Sequence, residues 1–217
     1  MERAVVKMRA MSWKEGKVVS VYAREGVFFL VQMLKPPYLA VFDVVQDSHD
    51  WPRGGLTLNN VLFVKAVARQ FIKYSDLRAV DIQPVDNIEI PLRWINGHPG
   101  SRLVTLYKGT ENEVELISNE RRAGGRLIEQ SAEGGVEMKI IIPEISLADT
   151  VAINSHELTT IDLFPHLNER VYLCSVFNRN VDPAKDIKFD RELPIEYLDF
   201  VKIYAGKIDD ISAYRSE

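Results

Sequence analysis

Residues 17–45 read KVVSVYAREGVFFLVQMLKPPYLAVFDVV, and this stretch decides the fold class. Lys17 to Ala23 is short, rich in Val and Tyr, and preceded by Gly16. Glu25-Gly26 supplies turn residues, and Val27 to Leu34 follows as a return strand, so the segment predicts a β-hairpin. Lys35-Pro36-Pro37 ends the second strand, because proline removes ladder donors and fixes φ. Tyr38 to Val45 is a third strand, Asp47 to Gly55 a polar loop of turn residues, and Asn59-Asn60 introduces Val61 to Ala68 as a fourth, doubly buried strand. A helix over 61–73 is the alternative, and length favours the strand.

Beyond this half, Pro84, Pro91, Pro99 and Asn96-Gly97 punctuate a connection in which Ile88 to Ile95 reads as an edge strand. Arg102 to Lys108, Glu113 to Ser118, Arg126 to Gln130 and Val136 to Ile142 then form a second strand series. Turns at Lys108-Gly109, Gly124-Gly125 and Gly134-Gly135 make a meander the natural reading. Pro165 can open a helix to about Phe177, with Leu167, Val171, Cys174 and Phe177 on one face. Pro194 can open another ending at Gly206, with Ile195, Leu198, Val201 and Ile203 inward. The predicted class is α+β, mainly antiparallel β: a small curved sheet or barrel-like N-terminal half, then helices near the C-terminus. A β-rich module over 12–118 and an acidic α+β extension over 119–217 follow, as separate units or one continuous fold.

The whole chain has 217 residues, 46% hydrophobic and 27% charged, which suits a globular protein and excludes a disordered one. Its net charge of −4 argues against bulk nucleic-acid binding. That total hides an asymmetry: residues 1–80 hold 12 Lys/Arg and 7 Asp/Glu, a balance of +5, and residues 81–217 hold 15 and 24, a balance of −9. An acidic face of this kind attracts a basic partner and speeds its association, although blocks of like charge also simply face water.

Chemistry-bearing motifs are sparse. Cys174 is the single cysteine, so no intramolecular disulfide or Cys-cluster zinc site exists, and its apolar surroundings read as core. The four histidines (His49, His98, His156 and His166) show no metal-ligand spacing. The densest polar cluster, Asp47-Ser48-His49-Asp50, reads first as a turn. No nucleophile elbow and no glycine-rich phosphate loop occurs, so no catalytic residue, metal or cofactor is assigned. Met1 to Arg9 breaks its apolar pairs with charge and shows no signal-peptide core, and no apolar run approaches the roughly 20 residues of a membrane helix. A cytoplasmic protein without membrane contact is expected.

Trp13-Lys14-Glu15-Gly16-Lys17-Val18, then Gln32-Met33-Leu34, Ala40-Val41-Phe42-Asp43 and Leu62-Phe63-Val64, form a pattern over residues 12–118. It resembles the immunity protein 26 family of bacterial antidotes to polymorphic or contact-dependent toxins. The resemblance implies a non-catalytic protein that binds and neutralises a cognate toxin domain, of nuclease type. Acidic residues of the C-terminal region, Asp182, Asp186, Asp190, Glu192, Glu196 and Asp199, are the candidate partner contacts. The alternative is a hydrolase of organophosphate or phosphotriester type, using the neighbourhood of Asp43, Asp47, His49 and Asp50.

Overall fold

A computed structural model describes residues 11–130, 138–208 and 210–216. Five antiparallel strands, β1 (Val18–Arg24), β2 (Val27–Met33), β3 (Tyr38–Gln46), β4 (Val61–Ala66) and β5 (Leu77–Ala79), form one sheet in the order β4-β3-β2-β1-β5. Arg24 faces Val27 across a two-residue turn whose members, Glu25 and Gly26, have φ of 53° and 76°. Two positive φ values give the turn the twist that a tight hairpin needs. The sheet stays open, with β4 and β5 at its edges, so the barrel-like alternative gives way to the curved sheet.

Continuous apolar strands follow from burial on both faces. Val19, Val21, Phe29, Val31, Met33, Leu39 and Val41 pack into the main core with Leu167, Val171, Phe200 and Val201. These partners come from helices α3 (His166–Phe177) and α5 (Leu198–Tyr204). Val18, Leu30, Ala40, Phe42 and Val64 point the other way, beneath Trp51, Ile82, Val85, Ile88 and Ile90. Buried Gln32 pins this proline-punctuated strap, donating to the Val85 carbonyl at 3.0 Å and accepting from its N–H at 2.8 Å. The predicted segment 61–73 divides: β4 takes its first half, and α1 (Arg69–Tyr74) takes the second.

The second strand series departs from a single meander. Strands β7 (Pro99–Leu106) and β8 (Val114–Glu120) form a two-stranded sheet, whereas β6 (Arg93–Asn96), β9 (Gly125–Gln130) and β10 (Met138–Ile145) form another, in the order β10-β9-β6. Gly124 has a left-handed φ of 95°, and its N–H bonds to the Lys188 carbonyl at 2.9 Å, so the chain leaves β8 for a different sheet instead of turning back on it. The expected turn at Gly134-Gly135, the start of the last strand at Val136 and the segment Met1 to Arg9 lie outside the described residues.

Residues 157–162 join the sheets. Ile95 N–H donates to the Glu157 carbonyl (2.8 Å) and Thr159 N–H to the Ile95 carbonyl (3.0 Å), extending β6. Asp162 N–H then reaches the Ala66 carbonyl (2.9 Å) and Ala68 N–H the Asp162 carbonyl (2.9 Å), at the end of β4. Helices α2 (Thr150–Ser155) and α4 (Pro183–Lys188) complete this side. Side chains from both sides of position 118 therefore share one core, Val41 and Val114 lying on the module side of that boundary and Leu167 and Val201 beyond it. No helix among the described residues is long and apolar enough to cross a membrane.

Candidate functional site

The six predicted partner-contact carboxylates separate into two groups. Asp182 caps α4, accepting from Lys185 N–H, and lies buried 3.4 Å from the Arg170 guanidinium. Asp186 pairs with Arg191 at 3.2 Å, and burial pushes its carboxyl above the ordinary range. Asp190 binds Arg102 at 2.8 Å, and Asp199 binds Arg24 at 2.6 Å. Glu192 and Glu196 are exposed and have no ion-pair partner among the described residues. Four of the six are thus satisfied within the chain, and the two glutamates are not.

Arg24, from the basic half, organises the surface next to Glu196. Its guanidinium reaches Glu169 (3.2 Å), Asp199 (2.6 Å) and Glu25 (2.7 Å), and it stacks on the Tyr172 ring with its centre 4.9 Å from the centroid. Glu169 is fully buried; burial raises its pKa, countered by the Tyr214 hydroxyl at 2.8 Å and by Arg24. The Tyr172 hydroxyl donates to Glu25 at 2.6 Å, which fastens the left-handed turn residue of the first hairpin onto α3.

Beside this hub runs a groove of about 290 Å³ between α3 and the start of the last helix. Leu173, Val176, Ile195 and Leu198 line it, with Glu196 and Asp199 on its border. Val176 is 48% exposed and Ile195 54%. The inward orientation expected of Ile195 is overturned by local geometry: Ile195 to Tyr197 form a 3₁₀ turn before α5 begins. At three residues per turn the phase shifts, so Tyr197, Val201 and Ile203 go inward and Ile195 faces out. The groove thus presents two exposed apolar side chains with carboxylates at its border. The sequence offered no sign that Val176 or Arg24 would lie at this groove, since neither stands in a motif.

A second charged assembly lies almost wholly in the interior. Arg170, 1% exposed, makes a two-pronged ion pair with Glu157 (2.8 and 2.9 Å), donates to the Val181 carbonyl (2.9 Å) and lies 3.8 Å over the Phe63 ring. Lys65, also 1% exposed, projects from β4 to the Leu158 carbonyl (2.9 Å) and the Thr160 hydroxyl (3.1 Å). Burial works against ionisation of Glu157, yet Arg170 and Lys185 hold its carboxyl well below the usual range. Asp162, 3.8 Å from Lys65, goes the other way: burial outweighs that attraction and pushes it up to about 6.

The His49 neighbourhood is arranged differently from the loop cluster expected of a hydrolase. His49 is buried, with Nδ1 at 2.9 Å from the Ser20 hydroxyl and Nε2 at 3.6 Å from Asp76. Trp51 Nε1–H donates to the same hydroxyl at 2.7 Å, and Ser20 is fully buried. Asp43, Asp47 and Asp50 are exposed instead, and none is hydrogen-bonded to the ring among the described residues. No group of three His, Cys, Asp or Glu able to hold a metal occurs among the described residues.

A family model whose description is "Domain of unknown function (DUF8309)" matches residues 8–191. No curated protein and no solved structure matches the chain.

Proposed function

The chain belongs to the DUF8309 family, and we propose, from the groove and the charge pattern, that it is a non-catalytic, cytoplasmic binding protein that captures and neutralises a cognate toxin domain. The groove carries this reading: Val176 and Ile195 stand out from the surface as apolar anchors, and Glu196 beside them has no ion-pair partner among the described residues. Apolar anchors supply most of the affinity of such a contact, while unpaired border charge steers a basic partner and sets the salt dependence. A nuclease-type toxin presents that basic surface, because it must hold phosphates. The resemblance of residues 12–118 to immunity proteins supports the same assignment, and the acidic balance of residues 81–217 supports a basic partner.

The test is titration of the full chain with the toxin domain encoded in the reading frame immediately upstream. A complex of micromolar affinity or tighter is expected. Ile195→Asp should weaken it by about 30-fold or more, the effect of losing one anchor. Glu192→Ala with Glu196→Ala should slow association and flatten its salt dependence. His49→Ala, on the far side of the sheet from the groove, should leave a folded variant's affinity unchanged. Absence of a complex at micromolar concentrations overturns the proposal.

A further inference from the structure

A second cavity, of about 340 Å³, opens beside the enclosed ion pairs and on none of the groove's apolar anchors. Arg179, Lys185, Arg191, Asn154 and Tyr197 line it, together with Asp182 and Asp186. Its lining is rich in cationic and hydrogen-bonding groups. Tyr197 is 2% exposed, yet its hydroxyl makes no hydrogen bond among the described residues. The side chain of Lys185 is 7% exposed, and the nearest carboxylate oxygen to its ammonium, on Glu157, is 3.9 Å away. Arg191 Nη2 and Asp182 Oδ2, both beneath the surface of the lining, have no hydrogen-bond partner among the described residues. Buried polar groups in folded proteins are nearly always satisfied, so these two atoms point to a ligand that accepts from Arg191 and donates to Asp182.

The sign of the missing group follows from what the carboxylates already do. Asp182 lies against Arg170, and Asp186 against Arg191, with burial disfavouring its charge. Arg179 is exposed and has no ion-pair partner among the described residues. The Asn154 carbonyl oxygen is occupied by Arg191 at 3.1 Å, which leaves its NH₂ group as a donor. The lining's three cations, Arg179, Lys185 and Arg191, outnumber its two carboxylates. We propose that this cavity binds a small metabolite bearing an oxyanion, phosphate or carboxylate, held by Arg179, Lys185 and Arg191 and oriented by the Tyr197 hydroxyl. The volume admits a ligand of nucleoside-monophosphate size and leaves no room for a folded partner.

The experiment is calorimetric titration and thermal melting of the full chain with inorganic phosphate, AMP and succinate as separate probes. At least one should bind saturably and raise the melting temperature with concentration. Binding of phosphate or AMP without succinate assigns a phosphoryl group, and binding of succinate alone a carboxylate. Exposed Arg179→Ala should weaken the bound probe about tenfold or more, and Tyr197→Phe should weaken it without altering the fold. Arg53→Ala, a change at a surface position outside the cavity lining, should have no effect. No saturable binding of any probe up to about 10 mM overturns the proposal, as does binding that survives both Arg179→Ala and Tyr197→Phe. Toxin capture is read on a different surface, so either result leaves the groove to be judged separately.

Discussion

The five-stranded sheet and the junction beneath residues 157–162 occupy adjoining parts of one core but are held by different physics. In the sheet, Val19, Phe29, Val31, Leu39 and Val41 are fully buried and carry no charge. At the junction, Arg170, Lys65 and Lys185 are as thoroughly buried, and each needs a named partner. Apolar packing is non-directional and tolerates substitutions that conserve volume. A buried ion pair is stable only while both members are present, because the loss of one strands the other in a medium that cannot solvate it. The junction therefore specifies how the sheets meet, and the sheet supplies the bulk of the burial.

The sharpest way to break this contrast is at Arg170. Arg170→Met leaves Glu157 buried without its main partner and should cost about 3–5 kcal/mol in urea unfolding. Adding Glu157→Leu should recover part of that loss, which no change in the sheet could do. A double variant no more stable than Arg170→Met would show that packing on Phe63, rather than charge pairing, dominates there. The Glu157 carboxyl is held below its ordinary range in the folded state, so its contribution is present above the unfolded value of 4.5. It is lost as pH falls through the lower folded value, and Glu157→Gln should converge on wild type in acid.

In the sheet, Leu39→Ala removes a fully buried side chain and should cost about 2–5 kcal/mol through lost transfer energy and the cavity left behind. The contrast lies in its pH profile. No titratable group is removed, so the loss should be nearly the same at pH 3 and pH 8, whereas the Glu157 effect should shrink towards the acid end. A Leu39→Ala loss that varied steeply with pH would mean that the two regions are coupled, and the comparison would fail.

This division also governs what the sequence revealed. The first hairpin, the third strand and the helix after Pro165 were legible because short apolar runs and turn residues express themselves locally. The pairing of β9 with β6 rather than β8 was not, since register between distant strands depends on a connection through 157–162 that has no pattern of its own. Glu157, Arg170 and Lys185 read as ordinary solvated charges, because burial of a charge depends on partners remote in sequence. Asp182, proposed from sequence as an external contact, belongs to that interior for the same reason. The groove was half legible: its acidic border stood in the sequence, while Ile195 was assigned inward because a 3₁₀ start cannot be told from a helical one by spacing alone.

Asp162 gives the smallest and most discriminating effect. Burial pushes its folded pKa up to about 6, above the unfolded value of 3.8, despite Lys65 at 3.8 Å. A carboxyl with a raised folded pKa is the reverse of the usual salt-bridged case. The folded state holds the proton more tightly, so stability is highest below the unfolded value and falls as pH rises through the folded one. Between pH 4 and pH 7 this group should lower wild-type stability by about 1–3 kcal/mol, since a tenfold difference in proton affinity between the two states is worth about 1.4 kcal/mol. Asp162→Asn retains the shape and the backbone bonds to Ala66 and Ala68 while removing the titration. The variant should match wild type near pH 4 and exceed it at pH 7 in urea midpoint. If it is instead less stable at pH 7, Lys65 depends on that charge more than on Leu158 and Thr160, and the junction is a closed ionic network rather than a set of independently satisfied charges.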